Sequence, residues 1–294
     1  MREAAFVINP DRARHVELLK ARCRDGAADH GWAVEFMVGE AGPGLSTLGA
    51  RLRAYAAGPG ERLVFAVGGD GTVRACADAV TGTATALAIV PRGTANLLAR
   101  SLGIPSGLAA ALGTGFAGRD KEVDLPWADG QTFVAMAGLG TDAAVVQATP
   151  DTLKDHLGWL GYAVAALPHL TGPAHELSVR IDGGEPLVRR AHCVVVGNVG
   201  LLPGGFTLLP GARVDDGVLD IGIISPRSVA GWLLVARRAV GGRHQGGAVE
   251  HYRGSSVEVT TEAEVWRQLD GDVIGTGRSL SVGLRPGALR VRVP

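Results

Sequence analysis

The stretch Leu63-Val64-Phe65-Ala66-Val67-Gly68-Gly69-Asp70-Gly71-Thr72-Val73 constrains this chain more than any other. A short apolar run that ends in glycine reads as a buried strand. From Val73 to Val80 the residues are rich in alanine and valine and read as a helix. The chain therefore leaves a sheet, crosses a loop nearly devoid of side chains, and enters a helix. Glycine in such a loop lets the backbone take φ > 0 and lets a ligand approach the main chain. The helix start brings unpaired N–H groups and a partial positive charge, which suit a phosphate. A plain strand-to-helix turn needs one glycine. Three glycines around Asp70, followed by Thr72, exceed that need and point to a phosphate site.

At 294 residues the chain is longer than a usual single core, which argues for two domains. Lys+Arg and Asp+Glu are both 29, so no basic footprint favours nucleic acid as a partner. Glycine is in excess, at 44 residues without a collagen-like period, and this implies many tight turns. Cys23, Cys76 and Cys193 are odd in number and far apart, the pattern of buried free thiols in a reducing compartment. The N-terminus enters a strand-like run with no signal-peptide pattern, and no apolar stretch reaches the ~18 residues of a spanning helix. A soluble cytoplasmic protein is expected, with any membrane contact peripheral.

Along the chain, Ala4 to Ile8 reads as a first strand ended by the turn Asn9-Pro10. Strands at Ala33–Val38, Leu63–Val67 and Leu87–Val90 alternate with helices at Arg12–Ala28, Leu45–Ala57, Val73–Val80 and on to Leu102. This alternation predicts an α/β domain with a mostly parallel sheet. Ligands of such sheets bind beyond the carboxyl ends of the strands. The loops at Asn9, Gly68 and Gly93 all follow strands and are expected along one edge. Near Lys121 the pattern changes to short strands separated by glycine and Asp-Gly turns: Lys121–Leu125, Thr132–Ala137, Leu177–Ile181, Leu187–Val196, Val218–Ile224, Ser256–Thr260, Val265–Leu269 and Leu280–Leu284. This is the signature of an antiparallel sandwich or barrel. The expected division is 1–123 for the α/β domain and 124–284 for the β-sandwich, with residues 285–294 free to pack back on the first. Helices expected at Leu157–Leu170 and Ser228–Val240 are candidates for a pocket wall or a membrane-facing lid, or for ordinary core packing.

Several chemistries are excluded by their missing fingerprints. There is no G-x-x-x-x-G-K-[ST], Gly68-Gly69-Asp70-Gly71 is not the dinucleotide-binding G-x-G-x-x-G, and there is no protein-kinase signature, no G-x-S-x-G elbow and no H-E-x-x-H. Three constellations remain. The first is Gly68 to Thr72. The second is Pro91-Arg92-Gly93-Thr94-Ala95-Asn96, a glycine turn and hydroxyl before a helix; it reads as a phosphate or ribose contact or as a simple N-cap by Thr94. The third is Pro210 to Asp220, where Asp216-Gly217 reads as a hairpin turn or as a hard-cation site.

These segments, in this order, resemble the catalytic domain of the bacterial diacylglycerol-kinase and sphingosine-kinase-like lipid kinases, related more distantly to NAD kinases. The resemblance runs through Ile8-Asn9-Pro10, Gly68-Gly69-Asp70-Gly71-Thr72, Pro91 to Arg100, Phe133 to Ala143, Val196-Gly197-Asn198, Pro210 to Asp220 and Leu269-Asp270-Gly271-Asp272. It covers nearly the whole chain. It implies ATP bound through Asn9, Pro10, Gly68, Gly69, Asp70, Gly71, Thr72, Gly93, Thr94 and Asn96, with the active site between the two domains. It implies a structural Mg²⁺ held by Asp216 and the carbonyls of Arg213 and Val218, a catalytic Mg²⁺ near Asp70, and Asp272 as the base for a lipid hydroxyl. It further implies a lipid such as diacylglycerol as acceptor and peripheral contact with the inner face of a membrane; a homodimer is left open. Two other readings stay open, an NAD-kinase-like enzyme of a soluble nucleotide and a nucleotide- or lipid-binding relative whose catalysis has lapsed. The chain departs from the family pattern at four places. Asp11-Arg12-Ala13-Arg14 replaces a Ser-Gly pair, Arg74-Ala75 replaces Asn-Glu, Leu97-Leu98 replaces Asp-Phe, and Asp272 stands where Glu is usual.

Overall fold

The computed structural model describes residues 2–12, 15–39, 45–140, 174–201, 207–226 and 248–294. The helices expected at Leu157–Leu170 and Ser228–Val240, and with them the lid reading, lie outside these residues, as do Arg14 and most of the Gly39–Gly44 loop. The chain divides into two compact units, Met1–Leu125 with Pro286–Pro294, and Pro126–Arg285.

The first unit is built on four parallel strands, β1 (Arg2–Ile8), β2 (Ala33–Val38), β3 (Glu61–Gly68) and β4 (Ala86–Pro91), in the order β2-β1-β3-β4. β1, β3 and β4 are buried along nearly their whole length, because helices cover both faces. On one face, Phe6, Phe65 and Ala88 meet Leu19, Cys23 and Ala27 of α1 (Val16–Asp29) and Ala111, Leu112 and Phe116 of α5 (Leu108–Ala117). Phe6 and Phe65 stack with centroids 4.4 Å apart. On the other face lie α2 (Gly49–Ala56) and α3 (Asp70–Val80). A short α4 (Leu97–Ser101) follows β4. Helix α5 is not legible in the sequence, because Gly113 and Gly115 lower its helical propensity. Gly115 has a packing reason: a Cβ there would sit 2.2 Å from Cε1 of Phe65. The C-terminal residues close this unit, with Val291 pairing in parallel with Leu87 and Arg292 bound to Asp120 at 3.0 Å.

The second unit is antiparallel. β7 (Met136–Gly140), β10 (Cys193–Gly197), β11 (Leu219–Ile224) and β12 (Val249–Gly254) run in the order β12-β11-β10-β7. β7 then pairs with the end of β13 (Ser256–Leu269), while the start of β13 pairs with β8 (His175–Ile181), which pairs with β9 (Leu187–Ala191). The register of β13 slips between Thr260 and Val265. Such an irregularity bends a strand and lets it serve two layers. Between them Leu177, Val179, Val257, Val259 and Val282 share a core with Leu139, Val194, Val196, Ile221 and Ile223. The sequence suggests two strands over 256–269, since Glu262-Ala263-Glu264 interrupts the alternation; the backbone nevertheless stays extended. The last strand, β14 (Asp272–Val293), is far longer than the Leu280–Leu284 expected. Two further strands, β5 (Arg119–Ala128) and β6 (Gln131–Thr132), pair with each other. A parallel α/β unit followed by an antiparallel sandwich is the architecture the sequence predicts.

Candidate functional site

The loop residues of the first unit leave three adjacent strands in register. Ile8 pairs with Val67, Val67 with Val90, and Gly68 with Pro91. Asn9, Gly69 and Arg92 therefore begin their loops along one edge, as expected. Cross-links reinforce this. Asn9 N–H donates to the Val67 carbonyl at 3.3 Å, and Arg92 N–H donates to the Gly68 carbonyl at 2.8 Å. Asn9 Oδ1 accepts the Asp11 N–H at 3.0 Å, a side-chain turn that starts the helical turn Pro10–Arg12.

The glycines act differently from expectation. Gly69 has φ −95°, and neither Gly68 nor Gly93 is left-handed. What these positions require is the absence of a side chain. A Cβ on Gly68 would sit 2.1 Å from Thr72 Oγ1, and a Cβ on Gly93 would sit 2.5 Å from the Gly69 Cα. The two loops thus touch backbone to backbone through Gly69 and Gly93. Asn96, with φ 48°, locks the second loop: it accepts the Gly93 N–H at 2.9 Å and donates to the Gly93 carbonyl at 2.6 Å.

Asp70 begins α3 but does not cap it. The residue is 7 % exposed, and its carboxylate accepts the Leu98 N–H of α4 at 3.4 Å. Burial pushes its carboxyl above the usual carboxylate range, opposed by amides at the start of α4. Asp70 is thus the cap of α4, and the N-cap reading of Thr94 is set aside, since Thr94 is exposed and Asn96 holds the cap position. Among the described residues no side chain caps the start of α3, and the buried Thr72 hydroxyl finds no hydrogen-bond partner. An orphaned buried hydroxyl, a helix start without a side-chain cap and two loops stripped of side chains suit the oxygens of a phosphate chain.

In the second unit, Asp270 and Gly271, with φ 52° and 84°, form the two-residue turn between β13 and β14. Positive φ at both central residues is the type I′ hairpin, for which Asp-Gly is a preferred pair. The Asp270 carboxylate accepts the N–H groups of Val134, Ala135 and Met136 at 3.0, 2.7 and 3.2 Å, and Gly271 N–H donates to Gln268 Oε1 at 2.9 Å. Asp272, exposed, follows directly and pairs with Leu269 in the ladder. Asn198 N–H donates to the Ala135 carbonyl at 3.3 Å. Residues 134–136 therefore join two motifs that are far apart in sequence. Sequence reasoning missed this role of Asp270; its position in an Asp-Gly turn before a strand was the available signal.

Asp216-Gly217 is not a strand-to-strand hairpin, because residues 210–218 form successive turns ahead of β11. Asp216 Oδ1 accepts the Val218 N–H at 3.3 Å, and its Oδ2 is ion-paired with Nη2 of Arg253. Asp220 lies 3.6 Å from Nε of the same arginine, and burial raises its carboxyl, with Arg253 opposing. Among the described residues no group of three or more His, Cys, Asp or Glu side chains could hold a metal ion. With both Asp216 oxygens engaged, these side chains do not suit a hard cation as they stand.

The fold is that of the NAD-kinase-like enzymes, an α/β unit followed by a β-sandwich-like unit. It is similar to the crystal structure of a diacylglycerol kinase from Bacillus anthracis (TM-score 0.75, 20 % identity, covering 100 % of this chain and 97 % of that one). It is more distantly similar to an NAD kinase from Archaeoglobus fulgidus in complex with ATP (TM-score 0.55, 11 % identity, 99 % and 93 % covered). Residues 3–128 match the diacylglycerol kinase catalytic domain, and residues 135–293 match the YegS C-terminal NAD kinase beta sandwich-like domain. A Pseudomonas aeruginosa protein named "Probable lipid kinase YegS-like" is 34 % identical over 83 % of this chain and 80 % of its own length. A Pseudomonas fluorescens protein of the same name is 32 % identical over 100 % of this chain and 96 % of its own. The chain belongs to this family, the YegS-like lipid kinases with a diacylglycerol kinase catalytic domain. Among the described residues no helix is long and apolar enough to cross a membrane.

Proposed function

We propose that this protein transfers the γ-phosphate of ATP to the free hydroxyl of a lipid, with diacylglycerol the first candidate acceptor. The observation that carries the reading is the edge where the Asn9-Pro10, Gly68–Thr72 and Gly93–Asn96 loops leave three strands in register, locked to one another by backbone contacts. Phosphoryl transfer asks chiefly for positioning and for neutralised charge. ATP supplies the phosphoryl group, and a divalent cation carried by its triphosphate offsets its charge. The residues that would hold the nucleotide are Asn9, Pro10, Gly68, Gly69, Gly71, Thr72, Gly93, Thr94 and Asn96. Asp70 ties the two glycine loops together, and its negative charge favours the accompanying cation. Asp272 takes the proton of the lipid hydroxyl as that oxygen bonds to phosphorus and ADP departs. The hairpin that carries Asp272 is fixed within its own unit by the three amides on Asp270, which supports a base of defined orientation. A lipid acceptor calls for peripheral contact with a membrane, and ATP as donor favours its inner face.

The test is turnover of labelled ATP with mixed micelles from a panel of hydroxylated lipids. Lipid phosphorylation that Asp272→Ala abolishes, while Asp272→Glu retains it, supports the reading. Phosphorylation of NAD but of no lipid, or ATP binding without turnover on any lipid, overturns it.

A further inference from the structure

We propose that Arg253 is the resident counter-cation of the turn region 210–220, so that this region folds without a divalent metal ion. Asp220 and Arg253 are directly opposed in the antiparallel pair β11–β12. Opposed unlike charges are a recognised source of cross-strand stabilisation. From that position the guanidinium reaches both acids, with Nη2 on Asp216 Oδ2 and Nε 3.6 Å from Asp220 Oδ2. A planar fork with several donors can serve two carboxylates at once, which a lysine ammonium does less well. The Asp220 side chain is only 9 % exposed, so its charge needs a partner within the protein. A Cβ on Gly211 would come within 2.9 Å of Asp220 Oδ1, so the turn itself closes down on that carboxylate. The second oxygen of Asp216 is turned inward to the Val218 amide at 3.3 Å. Mg²⁺ binds through oxygens in near-ideal octahedral geometry and gives up water reluctantly. To reach Asp216 it would have to expel an arginine that already pairs with both carboxylates.

The experiment is thermal unfolding in EDTA and in millimolar MgCl₂, a readout that needs no catalysis. The wild-type midpoint is expected to move by less than about 1 °C on adding Mg²⁺, whereas Arg253→Gln lowers it by about 3–6 °C in EDTA and makes it respond to Mg²⁺. Arg253→Lys should fall between the two. A rise of several degrees with Mg²⁺ in the wild type that Asp216→Asn abolishes would overturn the proposal, as would an Arg253→Gln protein that melts like the wild type in EDTA. If Arg253→Gln does not fold, the comparison of wild type with Asp216→Asn still decides the matter.

Discussion

Replacing Gly93 by alanine should be far more damaging than replacing Gly69, although the two glycines face each other. The new Cβ at 93 would lie 2.5 Å from the Gly69 Cα and 2.9 Å from Asn96 Oδ1, whereas one at 69 would lie 3.2 Å from the Gly93 Cα. Carbon atoms in contact sit about 3.5–4.0 Å apart. The first substitution must therefore part the loops by about 1 Å, the second by a few tenths of an ångström. Parting them disturbs the two Asn96–Gly93 bonds and the Arg92–Gly68 bond, all between 2.6 and 2.9 Å. At about 1 kcal/mol for each of the three strained bonds, plus about 1–3 kcal/mol for overpacking, Gly93→Ala should cost about 4–6 kcal/mol. Gly69→Ala should cost less than about 1 kcal/mol, since its φ of −95° suits alanine and the lost chain freedom stabilises by about 0.4–1 kcal/mol. Urea unfolding followed by circular dichroism measures both. At roughly 2 °C per kcal/mol for a chain of this length, thermal midpoints should fall by about 8–12 °C and by less than about 2 °C. Equal losses, or a larger loss at Gly69, would refute the backbone-to-backbone contact.

Three further outcomes follow from the same geometry. Asp70→Asn keeps an oxygen for the Leu98 N–H but removes a buried charge, so kinase activity should drop about 100-fold while stability at neutral pH is kept or gains about 1 kcal/mol. The pH dependence has a defined sign. Because burial raises the Asp70 carboxyl, the native state holds that proton more tightly, and stability is lost as pH rises from about 3.9 through the raised value; the advantage of Asp70→Asn over wild type in unfolding titrations should grow across that window. Asp270→Ala leaves the buried amides of Val134, Ala135 and Met136 without their acceptor and should cost about 3–5 kcal/mol, with Asp270→Asn milder because asparagine tolerates positive φ.

Most of the α/β unit was legible because its signals are local. β2 spans Ala33–Val38 as expected, and the loop edge follows from parallel strands that end together. The second unit was less legible. β13 carries a register slip, and β9 and β10 break at His192 within what reads as one run. The Gly-Gly-Asp-Gly-Thr motif reads as a phosphate loop, and of the two reasons its glycines suggest, positive φ is not met at Gly68, Gly69 or Gly71, whereas a backbone stripped of side chains is. Gly68 makes room for Thr72, and Gly93 makes room for Gly69.

The amino-acid sequence by itself determined the order of elements, the change from helix–strand alternation to short strands, the loops that follow β1, β3 and β4, and the family. These depend on periodicity, turn chemistry and motif order, all of which lie within a few residues of one another. Tertiary structure alone decided what the acidic residues touch. Asp270 gathers the amide of Val134, 136 residues away, and Asp216 meets an arginine 37 residues on. Asp70 caps a helix 28 residues further along the chain rather than its own. A carboxylate's partner is set by which backbone amides and cations folding brings within about 3 Å, and no local pattern carries that information.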